Sequence, residues 1–162
     1  MPKRPTAGQN FSIRFANQRM VHEAQSFLMS VFAPLLYDEL SRSLEELDKM
    51  ASRANCDIVC MFSEDEMVAS MQLEWHDDYV YVNLFGVHQA YRGKGLPRRM
   101  LIWLEEECRR RRIARIEFET LEDWQTRHQF YERLGFSRGE LLRRGGAHYR
   151  KFRKYITPLP AS

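Results

Sequence analysis

Between Asp57 and Val87 the chain carries three strand-like runs separated by two short polar interruptions, and no other feature limits the fold as much. Ile58-Val59-Cys60-Met61-Phe62 is almost continuously apolar, the pattern of a strand covered on both faces. Ser63-Glu64-Asp65-Glu66 is a polar turn. Met67, Ala69, Met71, Leu73 and Trp75 then alternate with Val68, Ser70, Gln72 and Glu74, which predicts a half-buried strand. His76-Asp77-Asp78 turns the chain again. In the run Tyr79 to Val87, Val80, Val82 and Leu84 share one face and Tyr81, Asn83 and Phe85 the other. Connections this short join antiparallel neighbours, so the segment predicts a three-stranded meander.

The flanks extend this sheet. Phe11 to Phe15 alternates as a short strand, and Val21, Ala24, Phe27, Leu28 and Val31 fit one helical face. After Pro34 a second helix is expected, with Leu36, Leu40, Leu44 and Leu47 at near-helical spacing. Downstream, a helix opening at Pro97 would share Met100, Leu101, Trp103, Leu104 and Cys108 on one face. Arg115 to Thr120 reads as a strand. Asp123 to Leu134 reads as a helix with Asp123 as N-cap and Gly135 as C-cap. His148 to Tyr155 reads as a last strand. The order β-α-α-β-β-β-α-β-α-β predicts an α/β fold of the α+β mixed-sheet kind, a mostly antiparallel central sheet flanked by helices. Residues 1–10 read as a flexible lead, 11–156 as a single domain and 157–162 as a tail.

The 162 residues are 44% hydrophobic and 29% charged, enough for a real core and ordinary for a globular protein. No apolar run approaches the roughly 18 residues of a membrane span. Met1-Pro2-Lys3-Arg4-Pro5 lacks a following apolar stretch, so no secretory signal and no membrane partner are expected. Cys56, Cys60 and Cys108 lack zinc-type spacing and read as buried thiols of a cytoplasmic protein, with no metal site. The net charge of +3 is unevenly spread. Arg109 to Arg112 form one basic run; Arg143, Arg144, Arg150, Lys151, Arg153 and Lys154 form another. Solvated surface with a helix C-terminus explains them; a nucleotide phosphate or an RNA backbone is the alternative.

The chemistry concentrates at Val87-His88-Gln89-Ala90-Tyr91-Arg92-Gly93-Lys94-Gly95-Leu96-Pro97, where a strand runs into a helix. Glycines let backbone approach a ligand, and the first helical turn offers unpaired N–H groups with partial positive charge. Together they suit a pyrophosphate, with Arg92 and Lys94 adding formal charge. The P-loop Gly-Lys-Ser/Thr is missing, and the preceding strand comes from a meander and not from a βαβ unit, so the dinucleotide fingerprint is excluded too.

A second landmark follows at Phe130-Tyr131-Glu132-Arg133-Leu134-Gly135-Phe136. With it the chain resembles the GNAT (GCN5-related N-acetyltransferase) family over roughly residues 11 to 155. The family pattern Arg/Gln-x-x-Gly-x-Gly/Ala is similar to Arg92-Gly93-Lys94-Gly95-Leu96-Pro97 except at its last position. The resemblance implies acetyl-CoA, or another acyl-CoA, as co-substrate. Its pantetheine arm would lie along the strand through Phe85 to Val87, and its pyrophosphate would sit on the amides of Arg92, Gly93, Lys94, Gly95, Leu96 and Pro97, with Arg98 close by. A primary amine of a small molecule or protein would attack the thioester directly, with no acyl-enzyme. Proline has no N–H, so Pro97 removes one donor from that cradle, although it suits a helix start.

By the same resemblance Tyr131 is the general acid that protonates the departing thiolate; a tyrosine near its ordinary pKa of about 10 stays able to donate. A core aromatic on an amphipathic helix is the competing reading. Asn83 and Leu84 stand where family members keep a carboxylate, and neither takes a proton at neutral pH. Glu74, Glu117, Glu119 and His148 remain as base candidates, beside a water chain or no base at all for an amine that arrives neutral. His128, three residues before Tyr131, reads as a packing or hydrogen-bonding partner, and His88 as a surface histidine. Two other functions stay open: a catalytically degenerate domain that binds CoA or a partner, and an RNA-directed acyltransferase. The acceptor region is expected near the first helices, Trp75, Trp124 and His148, and a homodimer is left open.

Overall fold

The computed structural model describes residues 10–36, 49 and 53–158. Seven strands form one sheet: β1 (Phe11–Phe15), β2 (Cys56–Ser63), β3 (Glu66–Trp75), β4 (Tyr79–Val87), β5 (Arg115–Leu121), β6 (Ser137–Arg144) and β7 (Ala147–Tyr155). Their spatial order is β1-β2-β3-β4-β5-β7-β6. Every neighbouring pair is antiparallel except β4 and β5, which run parallel. The β2-β3-β4 meander stands as the alternation indicates. Ile58, Cys60 and Phe62 of β2 pack with Ala24 of helix α1 (Gln18–Leu36), while Val59 and Met61 enter the larger core on the other face. Two-sided burial is why β2 reads as an unbroken apolar run.

The Asn17 side chain accepts from the Met20 N–H at 3.0 Å and caps α1. The helix continues past Pro34 to Leu36, so the break expected at Pro34 is not there. Leu40, Leu44 and Leu47, expected on a second helix, lie outside the described residues. Helix α2 (Leu96–Arg111) begins one residue before Pro97 and buries Leu96, Met100, Leu101, Leu104 and Cys108. Its last turn carries Arg109, Arg110 and Arg111, where cations complement the helix dipole. Arg110 and Arg111 close on Glu107 at 2.6 and 3.1 Å, and the Arg111 guanidinium lies 4.0 Å from the Trp75 ring centroid.

Helix α3 (Gln125–Arg133) has Trp124 at its N-cap with no side-chain cap bond. Asp123 is therefore not the cap; its carbonyl accepts from Gln125 N–H at 3.0 Å instead. Strand β6 is a further correction, because no strand was expected between α3 and β7. It lies at the sheet edge and its residues are mostly exposed, so Ser-Arg-Gly-Glu-Leu-Leu-Arg-Arg carries no apolar alternation to announce it. Most of the late basic cluster is ion-paired: Arg144 meets Glu119 (2.8 Å), Arg150 meets Glu122 (2.8 Å), Lys151 and Arg153 meet Glu117 (3.5 and 2.7 Å), and Lys154 meets Glu105 (2.6 Å), while Arg143 is exposed. No helix among the described residues is long and apolar enough to cross a membrane.

Candidate active site

The parallel pairing of β4 with β5 is short. It runs from Tyr79↔Arg115 to Val82↔Phe118 and stops. Beyond it β4 keeps only β3 as a partner and β5 only β7, so the two strands part like a wedge. The separation coincides with a bulge: Leu73 pairs with Val82 and Gln72 with Leu84, leaving Asn83 without a cross-strand partner on β3. A bulge adds local twist and redirects the side chains beside it. The strict alternation expected across Val82 to Phe85 is broken there, and all four residues line the cavity that opens in the wedge.

This cavity holds about 110 Å³ and is walled mainly by apolar groups. Leu101 of α2 closes one side, Glu119 and Thr120 come from β5, and Trp124, Arg127 and Tyr131 come from the α3 region. Tyr131 is fixed by a cluster of rings, with centroids of Phe118 at 4.5 Å, Phe152 at 5.6 Å and Phe136 at 6.3 Å. Burial among them pushes its phenol above the ordinary tyrosine value, the nearby Arg127 charge opposing weakly. The hydroxyl therefore stays protonated across the neutral range and is a proton donor, not an acceptor.

At the open end of β4 the chain makes a short 3₁₀ turn, Gln89–Tyr91. His88 is not a spectator here: its Nδ1 accepts from the Ala90 N–H at 3.1 Å and starts the turn. Buried Tyr91 donates to Glu66 at 3.2 Å, anchoring the turn to β3. Gly93 and Gly95 follow at φ of +73° and +77°. Nothing among the described residues lies within 4 Å of where their Cβ atoms would be, so the left-handed backbone and not crowding requires glycine at both. Gly95 is the N-cap of α2 and offers no side-chain cap. The first α2 amides are left without an internal acceptor, the arrangement that suits an anion.

The residues expected at this turn are placed unequally. Arg92, Gly93, Lys94, Gly95 and Arg98 are exposed around it. Arg92 Nε donates to the Val87 carbonyl at 3.4 Å. Arg99 lies over the Phe11 ring at 5.1 Å and is drawn away from the turn. The Leu96 side chain is fully buried, so only its backbone can face a ligand. Pro97 sits at the second helical position and supplies no N–H. Phe85 lines the wedge, and Val87 is buried at its end.

The base candidates are dispersed. Glu74 is at the far end of β3, away from the cavity lining, where it accepts from His76 at 2.7 Å and lies 4.0 Å from Arg53. Glu117 is buried among Arg153, Lys151 and Arg115. Glu119 does line the cavity, but Arg144 Nη2 donates to its Oε1 at 2.8 Å. His148 is exposed and belongs to a neighbouring opening of about 430 Å³ that it shares with Glu122, Asp123 and Leu141; Leu121 and Trp124 border both spaces. Trp75, expected near the acceptor, instead donates its indole N–H to Asp57 at 3.0 Å. His128 is the hydrogen-bonding partner the spacing suggests: its Nε2–H donates to the Leu121 carbonyl at 2.9 Å, tying α3 to the end of β5. Asn83, Thr120 and Arg127 are cavity residues that the sequence reading did not select. Only the orphaned polar atoms of Asn83 and Thr120 distinguish them, and those appear once the strands are placed.

Comparison with known proteins agrees with this fold. A Bacillus subtilis (strain 168) protein described as the uncharacterized N-acetyltransferase YesJ is 27% identical over 114 residues, covering 61% of this chain and 62% of that relative's length. The fold is shared with the crystal structure of the ribosomal-protein-S18-alanine N-acetyltransferase from Escherichia coli, at a TM-score of 0.77 and 16% identity over 94% of this chain and 97% of that one. It is shared too with a GNAT family acetyltransferase from Elizabethkingia anophelis with acetyl-CoA bound, at a TM-score of 0.71 and 11% identity over 91% and 99% of the two chains. A sequence profile described as the Acetyltransferase (GNAT) family matches residues 18–136, most of the 162-residue chain, and the chain belongs to that family.

Proposed function

We propose that this chain is an acetyl-CoA-dependent N-acetyltransferase that moves an acetyl group to a primary amine by direct attack in a ternary complex. The observation that carries the reading is the wedge between β4 and β5, whose cavity is lined by Tyr131 and by Val82 to Phe85 of β4, the strand that runs on into the Gly93–Gly95 turn. Past Val82 one edge of β4 has no strand partner, and its backbone suits the amide-bearing arm of CoA. The turn and the first α2 amides suit the pyrophosphate, with Arg92, Lys94 and Arg98 as the nearby cations.

In this reading the amine nitrogen forms a bond to the thioester carbonyl carbon, the carbon–sulfur bond breaks, Tyr131 gives its proton to sulfur, and the proton shed by nitrogen returns to Tyr131. The raised Tyr131 pKa keeps that proton available at neutral pH. Holding both reactants in one cavity removes much of the entropic barrier of a bimolecular step. The Escherichia coli neighbour is described as acting on an alanine of a ribosomal protein, which supports a protein amine as one acceptor class beside small molecules. Calorimetric titration with CoA and acetyl-CoA, followed by thiol release over a panel of amines, tests the reading. Saturable binding and amine-dependent thiol release are expected; absence of binding at millimolar CoA would sink it.

A further inference from the structure

We infer that the acceptor is an amine that is substantially uncharged at neutral pH, an α-amine or a nitrogen of similarly low basicity, held in the wedge by Asn83 and Thr120. The inference rests on the acetyl-transfer reading above. Its evidence is a set of buried polar atoms on the two parting strands, carried by half-buried Asn83 and buried Thr120. Both polar atoms of the Asn83 amide are withdrawn from bulk water and lack a hydrogen-bond partner among the described residues. The Thr120 Oγ1 is in the same condition on a residue only 6% exposed. Both residues line the one cavity. Leaving such groups unpaired is costly, so they are seldom retained without a ligand or water to answer them.

Their chemistry matches a neutral amine. An R–NH₂ group offers two N–H donors and one lone pair. Asn83 Oδ1 and Thr120 Oγ1 can each accept one N–H, which leaves the lone pair free for the carbonyl carbon. An ammonium has no lone pair and must shed a proton first. Among the described residues, the titratable or charged groups lining the cavity are Glu119, Arg127, Tyr131 and Tyr149. Glu119 is the one carboxylate of the four and is engaged by Arg144 at 2.8 Å. Arg127, over the Trp124 ring at 4.2 Å, adds a positive charge. Tyr131 holds its own proton. A cation entering here would lose water without an uncommitted counter-charge. The proton count closes without a carboxylate base: Tyr131 gives sulfur its proton and recovers the one that nitrogen, once acylated, sheds.

The test compares two acceptors of similar size, a lysine-free tripeptide amide with a free α-amine and Nα-acetyl-lysine amide, by kcat/KM from pH 6 to 9. Ordinary pKa values of about 7.8 and 10.4 make the uncharged fraction at pH 7 about 300-fold larger for the α-amine. The expected result is a preference of that order, with each profile rising at unit slope up to the acceptor's own pKa. Thr120→Val, which keeps the side-chain shape, should lower kcat/KM for the α-amine about tenfold and leave CoA affinity unchanged. Asn83→Asp should narrow the preference by supplying a carboxylate to the ammonium. Equal rates for the two acceptors, one shared enzyme pKa in both profiles, or a Thr120→Val protein with unaltered kinetics overturns the inference. CoA binding without turnover of either acceptor overturns it too and leaves the donor site standing; no CoA binding removes the acetyl-transfer reading itself.

Discussion

The backbone N–H of Phe136 donates to the Tyr131 carbonyl at 3.0 Å, and Gly135 N–H donates to Glu132 at 3.0 Å. These two bonds are a Schellman closure, and the accompanying apolar contact is the Tyr131–Phe136 ring pair. The Tyr-Glu-Arg-Leu-Gly-Phe segment is thus a helix stop that also locks the backbone of the cavity tyrosine. Gly135 sits at φ +93°, and a Cβ there would meet Lys154 Cε at 3.1 Å, a side chain already bonded to the Leu134 carbonyl. Gly135→Ala should lower unfolding free energy by about 1–2 kcal/mol, read as a lower urea midpoint at unchanged slope. An unchanged midpoint would show that the closure contributes nothing.

Tyr131→Phe separates proton donation from packing. The ring contacts with Phe118, Phe136 and Phe152 survive the change, so the fold and the Kd for CoA should alter by less than about twofold. Loss of the proton donor should lower kcat by about 10²–10⁴-fold. Because burial raises the phenol above 10.0, the wild-type rate should show no alkaline fall from this group until above pH 10, and the variant should lack that limb. Equal losses in kcat and in CoA affinity would reassign Tyr131 to packing.

The meander was legible because β2, β3 and β4 each bury side chains in periodic order, and period is what a sequence displays. The Gly93–Gly95 turn was legible because left-handed backbone demands a particular residue type. Strand β6 was not, since an edge strand held by its ladder and by pairs such as Arg153–Glu140 needs no apolar stripe. The wedge was not legible either: it depends on where Val82 stops facing Phe118, a relation between residues far apart in the chain. Asn83 stood out in the sequence only as a missing carboxylate; the bulge that leaves it without a β3 partner was not visible there. Glu119 was one of four base candidates, and its pairing with Arg144 was not visible in the sequence. In each case the residue type was visible and its partner was not.

The thiols give a prediction independent of catalysis. Burial pushes Cys60 up to about 11 and Cys108 up to about 12, so neither forms the reactive thiolate near pH 8. Cys56 is raised as well but is only half-buried. Ellman's reagent at pH 8 should label Cys56 first, and Cys60 and Cys108 at the rate of unfolding; all three should react at once in strong denaturant. The sign for stability follows from the same shifts. A thiol raised from 9.0 favours the fold fully below that value and loses its contribution as pH climbs toward the folded value. Labelling of Cys108 as fast as Cys56 would contradict its burial.

Pro97 offers the sharpest test of the donor site because its two expected effects have opposite signs. At the second helical position its missing N–H leaves the α2 end one donor short. Pro97→Ala restores that donor beside the Gly95 turn. A hydrogen bond worth about 0.5–1.5 kcal/mol net should tighten CoA binding by about two- to tenfold. The same change frees the unfolded chain and should cost about 0.4–1 kcal/mol of stability, since a proline already fits the helix start. Calorimetry with CoA and urea unfolding on the one variant read both. Tighter binding in a less stable protein places the pyrophosphate on these amides. Weaker or unaltered binding would move the phosphates elsewhere, with Arg92, Lys94 and Arg98 then acting as point charges without the helix end.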